Sequence, residues 1–197
     1  MPKKDLVEIV AIVDRSGSMG PIADDAIGGF NVFLQEQKEC PGEANFTLIL
    51  FNDEYKIIED GTPINNVGGL TRISYSPCGC TAMNDAIGKA IDTVGKRLAQ
   101  TEECDRPAKV IVAILTDGQE NSSIEYSSKQ IAEMIKTQTE QFSWEFHYLA
   151  ANQDAFAAAS ALNISNSMNF AANGAGVRSA YISYSTSVSK SRIDSDN

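Results

Sequence analysis

Four apolar runs, each closed by polar turn residues, recur along the chain: LVEIVAIV at 6–13, FTLILF at 46–51, AKVIVAIL at 108–115 and WEFHYLAA at 144–151. Runs rich in Val and Ile, apolar at successive positions, suit central strands of a parallel sheet whose two faces are both covered by helices. Between them the apolar residues repeat at helical spacing. Residues 23–38 carry Ala26, Ile27, Phe30, Phe33 and Leu34, residues 84–100 carry Ala86, Ile87, Ala90, Ile91, Val94 and Leu98, and residues 127–140 carry Ile131, Met134 and Ile135. Two more helices are predicted over 153–162 and 174–190. The alternation predicts an α/β fold with a doubly wound, mostly parallel central sheet and helices on both faces. Residues 54–77 break it. There YKIIE reads as one short antiparallel edge strand, followed by a turn and a polar loop. The final SRIDSDN is expected to fray.

Length and charge narrow the picture. The 197 residues, 43% of them apolar, predict a single domain over 1–197 with its core at about 6–190. A formal net charge of -10 and a pI near 4.5 disfavour nucleic acid and anionic membrane as partners, since both require clustered positive charge. The opening MPKKDLVEIV is interrupted by Asp5 and Glu8, and no run approaches the roughly 20 apolar residues that span a bilayer. A soluble, cytoplasmic protein is expected. Cys40, Cys78, Cys80 and Cys104 are too scattered for a disulfide framework, so free thiols are expected. Cys78-Gly79-Cys80 has the form of a soft-metal or redox pair, but small residues filling a tight loop are the favoured reading. With one histidine, His147, there is no tetrahedral zinc set.

The chemistry concentrates where apolar strands end. AIVDRSGSMGP, at 11–21, places Asp14, Ser16 and Ser18 at alternate positions just after the first strand. AILTDGQEN ends another strand on Asp117, and CGCTAMNDAIGKAI sets Thr81 in a small-residue turn ahead of a helix. In open α/β sheets ligands bind beyond the carboxyl ends of the strands, where strand order reverses. Two carboxylates and three hydroxyls, with neither thiolate nor imidazole among them, suit a hard divalent ion such as Mg²⁺ or Mn²⁺. Taken alone, an Asp and two Ser after a strand also serve as helix caps and turn residues.

DRSGSM, then GCT before a helix, then LTDG at a strand end, resembles the von Willebrand factor type A family with its metal-ion-dependent adhesion site (MIDAS). That pattern is D-x-S-x-S, then T, then D. The five positions are filled in order by Asp14, Ser16, Ser18, Thr81 and Asp117, and the resemblance extends over about residues 6–190. It implies a Rossmann-like domain with a divalent ion at the top of the sheet. Ser16 and Ser18 would bind the ion directly, and Thr81, Asp14 and Asp117 directly or through water. It implies also a protein partner whose Asp or Glu completes the coordination. The chain looks more like the stand-alone bacterial or viral members than like a receptor. CGCT departs from the glycine-rich loop common there, which puts loop packing and oxidation sensitivity of Cys80 in play.

The sequence bears on an enzymatic role as well. RSGSMG is not the G-x-S-x-G nucleophile elbow, because Ser16 stands where glycine is needed. His147 falls inside the apolar run EFHYL and reads as a core or sheet-face histidine. AIDTVGKRL faintly echoes a phosphate loop but has Ala90 for the first glycine and Arg97 for the Ser or Thr. The alternative is a metal-dependent hydrolase of a phosphate or ester, whose developing charge only Arg15 and Arg72 stand close enough in sequence to meet. The preferred expectation is a noncatalytic, metal-dependent protein-binding module. Asn52 and Asp53, and Asn152 and Asp154, read as turn residues; Glu120 and Asn121 read as supports for the metal's waters.

Overall fold

In the computed structural model, which describes residues 2–151 and 155–193, a six-stranded sheet runs in the order β3-β2-β1-β4-β5-β6. The strands are β1 (Lys3–Asp14), β2 (Glu43–Phe51), β3 (Tyr55–Pro63), β4 (Pro107–Thr116), β5 (Glu145–Ala151) and β6 (Asn166–Phe170). All neighbours pair in parallel except β2 and β3. The antiparallel edge strand predicted from YKIIE is therefore present, and it extends to Pro63. The helices are α1 (Ala23–Glu39), α2 (Met83–Gln100), α3 (Ser128–Phe142), α4 (Ala155–Ala161) and α5 (Gly174–Ile193). Among these helices none is long and apolar enough to cross a membrane.

Strand periodicity splits β1 between two cores. Val7, Ile9, Ala11 and Val13 face one side, where they meet Phe30, Phe33 and Leu34 of α1 and Tyr181, Tyr184 and Val188 of α5. Val10 and Ile12 face the other, against Ile87, Ile91 and Val94 of α2 and Ile131 and Ile135 of α3. α3 starts where its sequence specifies: Ser127 and Gln130 form a reciprocal capping box. The sequence reading gave no element to 163–173, and here it missed β6. NSMNF has little apolar character because an edge strand needs one covered face and one partner only.

Parallel register brings the carboxyl ends of the inner strands together. Asp14 pairs with Phe51 of β2, and Val13 with Leu115 of β4. β1 connects onward through α1 to β2 on one side, while β4 lies on the other, so strand order reverses between β1 and β4. The loops that follow Asp14 and Thr116 open over this crevice.

One buried charge fixes the opposite half of the sheet. Glu8, in the middle of β1, is fully buried and accepts from Arg97 Nη2 at 2.7 Å and from Thr47 Oγ1 at 2.6 Å. Arg97 also pairs with Asp60 of β3, at 2.8 Å. The residue that spoils the phosphate-loop echo is thus a clamp between α2 and the sheet. Removing one partner strands the other in a low dielectric. Arg97→Met should cost about 3–5 kcal/mol in urea unfolding, and the double change Glu8→Leu, Arg97→Met should recover most of it.

Candidate metal centre

Asp14 is fully buried at the end of β1, and its carboxylate is fixed from two sides. Oδ1 accepts from the Ser16 amide at 2.6 Å, and Oδ2 from the Thr116 hydroxyl, also at 2.6 Å. With its proton given to Asp14, Thr116 Oγ1 accepts in turn from the Gly118 amide at 3.1 Å. The carbonyl of Asp14 accepts from the buried Tyr75 hydroxyl at 2.6 Å. Burial raises the Asp14 carboxyl above its ordinary range, against the lowering effect of the Thr116 and Ser16 bonds; the nearby Asp117 adds to the rise.

The next three residues turn the chain so that Ser16 and Ser18 align. A 3-10 turn over Gly17–Ile22 leads into α1, with Ser16 in extended conformation ahead of it. Ser18 donates to Asp117 Oδ1 at 2.6 Å, so the 3.1 Å contact between Ser16 Oγ and Ser18 Oγ has Ser16 as donor. The row Ser16, Ser18, Asp117 joins the loop after β1 to the loop after β4. Burial also raises the half-buried Asp117, again opposed by its bond from Ser18.

Thr81 reaches the same place from the turn ahead of α2. A Cβ placed on Gly118 would lie 3.2 Å from Thr81 Oγ1 and 3.5 Å from Ser18 Oγ, so both hydroxyls border Gly118. Thr81 is 2% exposed and held through its backbone: its amide donates to Asn121 Oδ1 at 2.9 Å, and its carbonyl accepts from the Asn121 amide at 3.1 Å. The Ala82 amide donates to Asn52 O at 2.8 Å, docking this turn on the end of β2.

Asn121 thus supports the site by clamping Thr81. Glu120 is spent further off: it accepts from the amides of Asn84, Ser122 and Ser123 and from the Ser123 hydroxyl, which ties the loop after β4 to the start of α2. Asp85 completes that tie by accepting three amides from Ile124, Glu125 and Tyr126. Burial acts to raise its carboxyl, but those three donors together bring it below the ordinary value. Asn52 and Asp53 do serve the turn, accepting from the Glu54 and Cys80 amides. Asn152 and Asp154 lie outside the described residues. His147 is buried at the other end of β5, bonded to Glu145 Oε1 at 2.7 Å with its ring against Tyr184.

The structure therefore gathers all five sequence-predicted residues at the β1–β4 crevice. It adds Thr116 and Tyr75, which no sequence pattern singles out, and it gives Asn121 the backbone clamp on Thr81. Among the described residues neither Asp14 nor Asp117 takes part in an ion pair; the nearest basic side chain in sequence, Arg15, is bridged to Glu54 at 3.0 Å. Two carboxylates held above their ordinary range, three hydroxyls beside them and no basic partner form an oxygen-only donor set. That chemistry fits a hard divalent cation.

Comparison with known proteins places the arrangement. No curated protein matches the chain in sequence. The pilus adhesin SpaC from Lactobacillus rhamnosus GG superposes with a TM-score of 0.68 at 16% identity, covering 94% of this chain and 31% of that one. The manganese-loaded TRAP protein of Plasmodium vivax gives 0.60 at 15% identity, covering 89% and 72%. Proximal thread matrix protein 1 from the mussel byssus, with a zinc-occupied MIDAS motif, gives 0.62 at 14% identity, covering 93% and 46%. This chain spans less than half the length of the adhesin and byssus chains, and at such identities the likeness is one of fold. Residues 8–173 match the von Willebrand factor type A domain, and with the sheet order and crevice described above this chain belongs to that family.

Proposed function

We propose that this domain is a divalent-cation-dependent protein-binding module. In this reading Asp14, Ser16, Ser18, Thr81 and Asp117 hold Mg²⁺ or Mn²⁺, and an Asp or Glu from a protein partner completes the coordination. The observation that carries it is the hydrogen-bonded row Ser16, Ser18, Asp117, set beside buried Asp14, with no basic residue among those described paired to either carboxylate. Relatives named for bound manganese, for a zinc-occupied MIDAS motif and for adhesion support the same reading.

The bound ion supplies a positive charge with an open position for an anionic oxygen. Everything else is work of the chain. Asp14 sets the ion's place through a carboxylate that Ser16 and Thr116 lock in one orientation. Ser16, Ser18 and Thr81 offer neutral oxygens, which leave the cation electrophilic toward the partner carboxylate. Asp117 would hold the cation through the carboxylate that here accepts from Ser18. A hydrolytic role is less well supported, because Arg15 and Arg72, the cations it would call on, are bridged to Glu54 and Asp24.

Titration calorimetry with Mg²⁺ and Mn²⁺ tests the site: one ion should bind the wild type, and Asp14→Ala should abolish the heat. Equal binding by both proteins refutes the assignment.

Asp117→Asn separates function from folding. Its oxygen still accepts from Ser18, while the charge that burial penalises is gone. The metal-free variant should melt no lower than wild type. It should lose the upward shift of about 5–10 °C that wild type shows at ~100 times the cation's Kd.

The pH dependence has opposite signs in the two states. A carboxyl raised on folding contributes stability that is present below its unfolded-state value and lost as pH rises through the folded-state value. Asp14 and Asp117 are both raised, so their contribution to the metal-free protein should grow as pH falls through that window. Over the same window cation affinity should fall, because protons compete for the same oxygens. Parallel melting curves with and without Mn²⁺ should therefore converge on acidification; curves that stay equally far apart would contradict the ligand set.

A further inference from the structure

The departure from the family's glycine-rich loop, Cys78-Gly79-Cys80, sits against the proposed ligands. Both thiols are free and exposed. The Cys78 amide donates to the Arg15 carbonyl at 2.9 Å, and the Gly79 carbonyl accepts from the Gly17 amide at 3.1 Å. Gly17 is the residue between Ser16 and Ser18. The Cys80 amide donates to Asp53 Oδ1 at 3.2 Å, and Cys80 precedes Thr81 directly. Asn52 Nδ2 donates to the Cys78 carbonyl at 2.8 Å and reaches the Cys78 sulfur at 3.4 Å.

We propose that Cys78 and Cys80 are a reversible dithiol–disulfide pair whose closure reshapes the loop that carries Thr81. Geometry permits the bond. Residues two apart span at most about 7 Å, and a disulfide requires Cα atoms about 4.4–6.8 Å apart, so a turned linker brings them into range. Gly79 is turned, at a φ of 74°, where a Cβ would fall 1.8 Å from Asp53 Oδ1. With no side chain it accepts the further backbone rotation that ring closure needs. The other two thiols are set apart: Cys40 bonds Ser189 between α1 and α5, and Cys104 lies in the 3-10 turn Glu103–Asp105 ahead of β4.

The oxidant is a small disulfide such as glutathione disulfide. One protein thiolate attacks it, forming a mixed disulfide and releasing one glutathione thiolate. The second protein thiolate then attacks the protein-bound sulfur, closing the Cys78–Cys80 bond and expelling the other glutathione. Two protein thiols give up two electrons and two protons, and the glutathione disulfide becomes two thiols. Closure swings the Cys78 sulfur away from Asn52 and pulls on the Gly17 and Asp53 bonds, which flank Ser16, Ser18 and Thr81. The effect on cation affinity rests on the function proposed above; the disulfide and the loop change do not.

The test uses the full chain in a Cys104→Ser background, equilibrated in glutathione redox buffers and restored with dithiothreitol. Of its three thiols only Cys40 should remain free after oxidation, in a monomer lighter by two hydrogens, with altered amide exchange over residues 79–86. Mn²⁺ affinity should fall by about tenfold and recover on reduction. Adding Cys80→Ser should halt oxidation at a glutathione adduct on Cys78. Three surviving thiols, or a mixed disulfide that persists with both cysteines present, would overturn the pair; a disulfide that leaves amide exchange over 79–86 unchanged would overturn the loop change. If Mn²⁺ fails to bind the reduced protein, the proposed function falls, while the thiol count and amide exchange still decide this inference.

Discussion

The top of the sheet depends on a single constraint, a carboxylate with no exposure to water at the end of the central strand. Burying an unpaired charge costs several kcal/mol, which no surface contact repays. Asp14 is given hydrogen bonds in place of an ion pair, one from the turn that follows it and one from the end of the neighbouring strand. Those bonds do not cancel the penalty, since the group still titrates above its ordinary range. The remainder is a standing preference for positive charge at this point. In a chain whose formal charge is -10, that preference is met locally by no lysine or arginine ion pair among the described residues.

What surrounds Asp14 is a set of loops tied to one another by backbone. The loop after β1 is bonded to the end of β2 through Arg15 and Phe51, and to the cysteine loop through Gly17 and Gly79. The turn before α2 is bonded to β2 through Ala82 and Asn52, and to the loop after β4 through Asn121. The oxygens of the site therefore come from three segments, each tied by backbone or side-chain bonds to others around the crevice. Such cross-bracing sets donor positions before any ligand arrives and lowers the ordering cost of binding. It also makes the site sensitive to a change in any one loop.

Much of this was legible in sequence because two periodicities agreed. The Val and Ile runs gave β1, β2, β4 and β5, and the 3.6-residue spacing gave α1, α2 and α3, so the ends of β1 and β4 carried Asp14 and Asp117 to the crevice. β6 left no such mark, since Asn166, Ser167 and Asn169 sit on an edge that asks little of side chains. The braces were illegible for another reason. Thr116 reads as one more β-branched strand residue, Tyr75 as part of a polar loop, and Arg97 as a failed phosphate motif. Each acquires its role only from a partner 61 to 102 residues away in the chain.

The distribution of cations around the crevice separates binding from turnover more sharply than the ligand set does. Hydrolysis of a phosphate ester needs positive charge that follows the leaving group, beyond what a metal supplies to the attacked centre. Arg15 is mostly covered and turned to Glu54, Arg72 is held by Asp24, and Lys89 is held by Glu125. Each is bridged to a carboxylate. On the function proposed above, a partner carboxylate would bring one charge and would need no such basic group. The arrangement of charges therefore suits the proposed recognition of a single anionic oxygen better than the hydrolytic alternative.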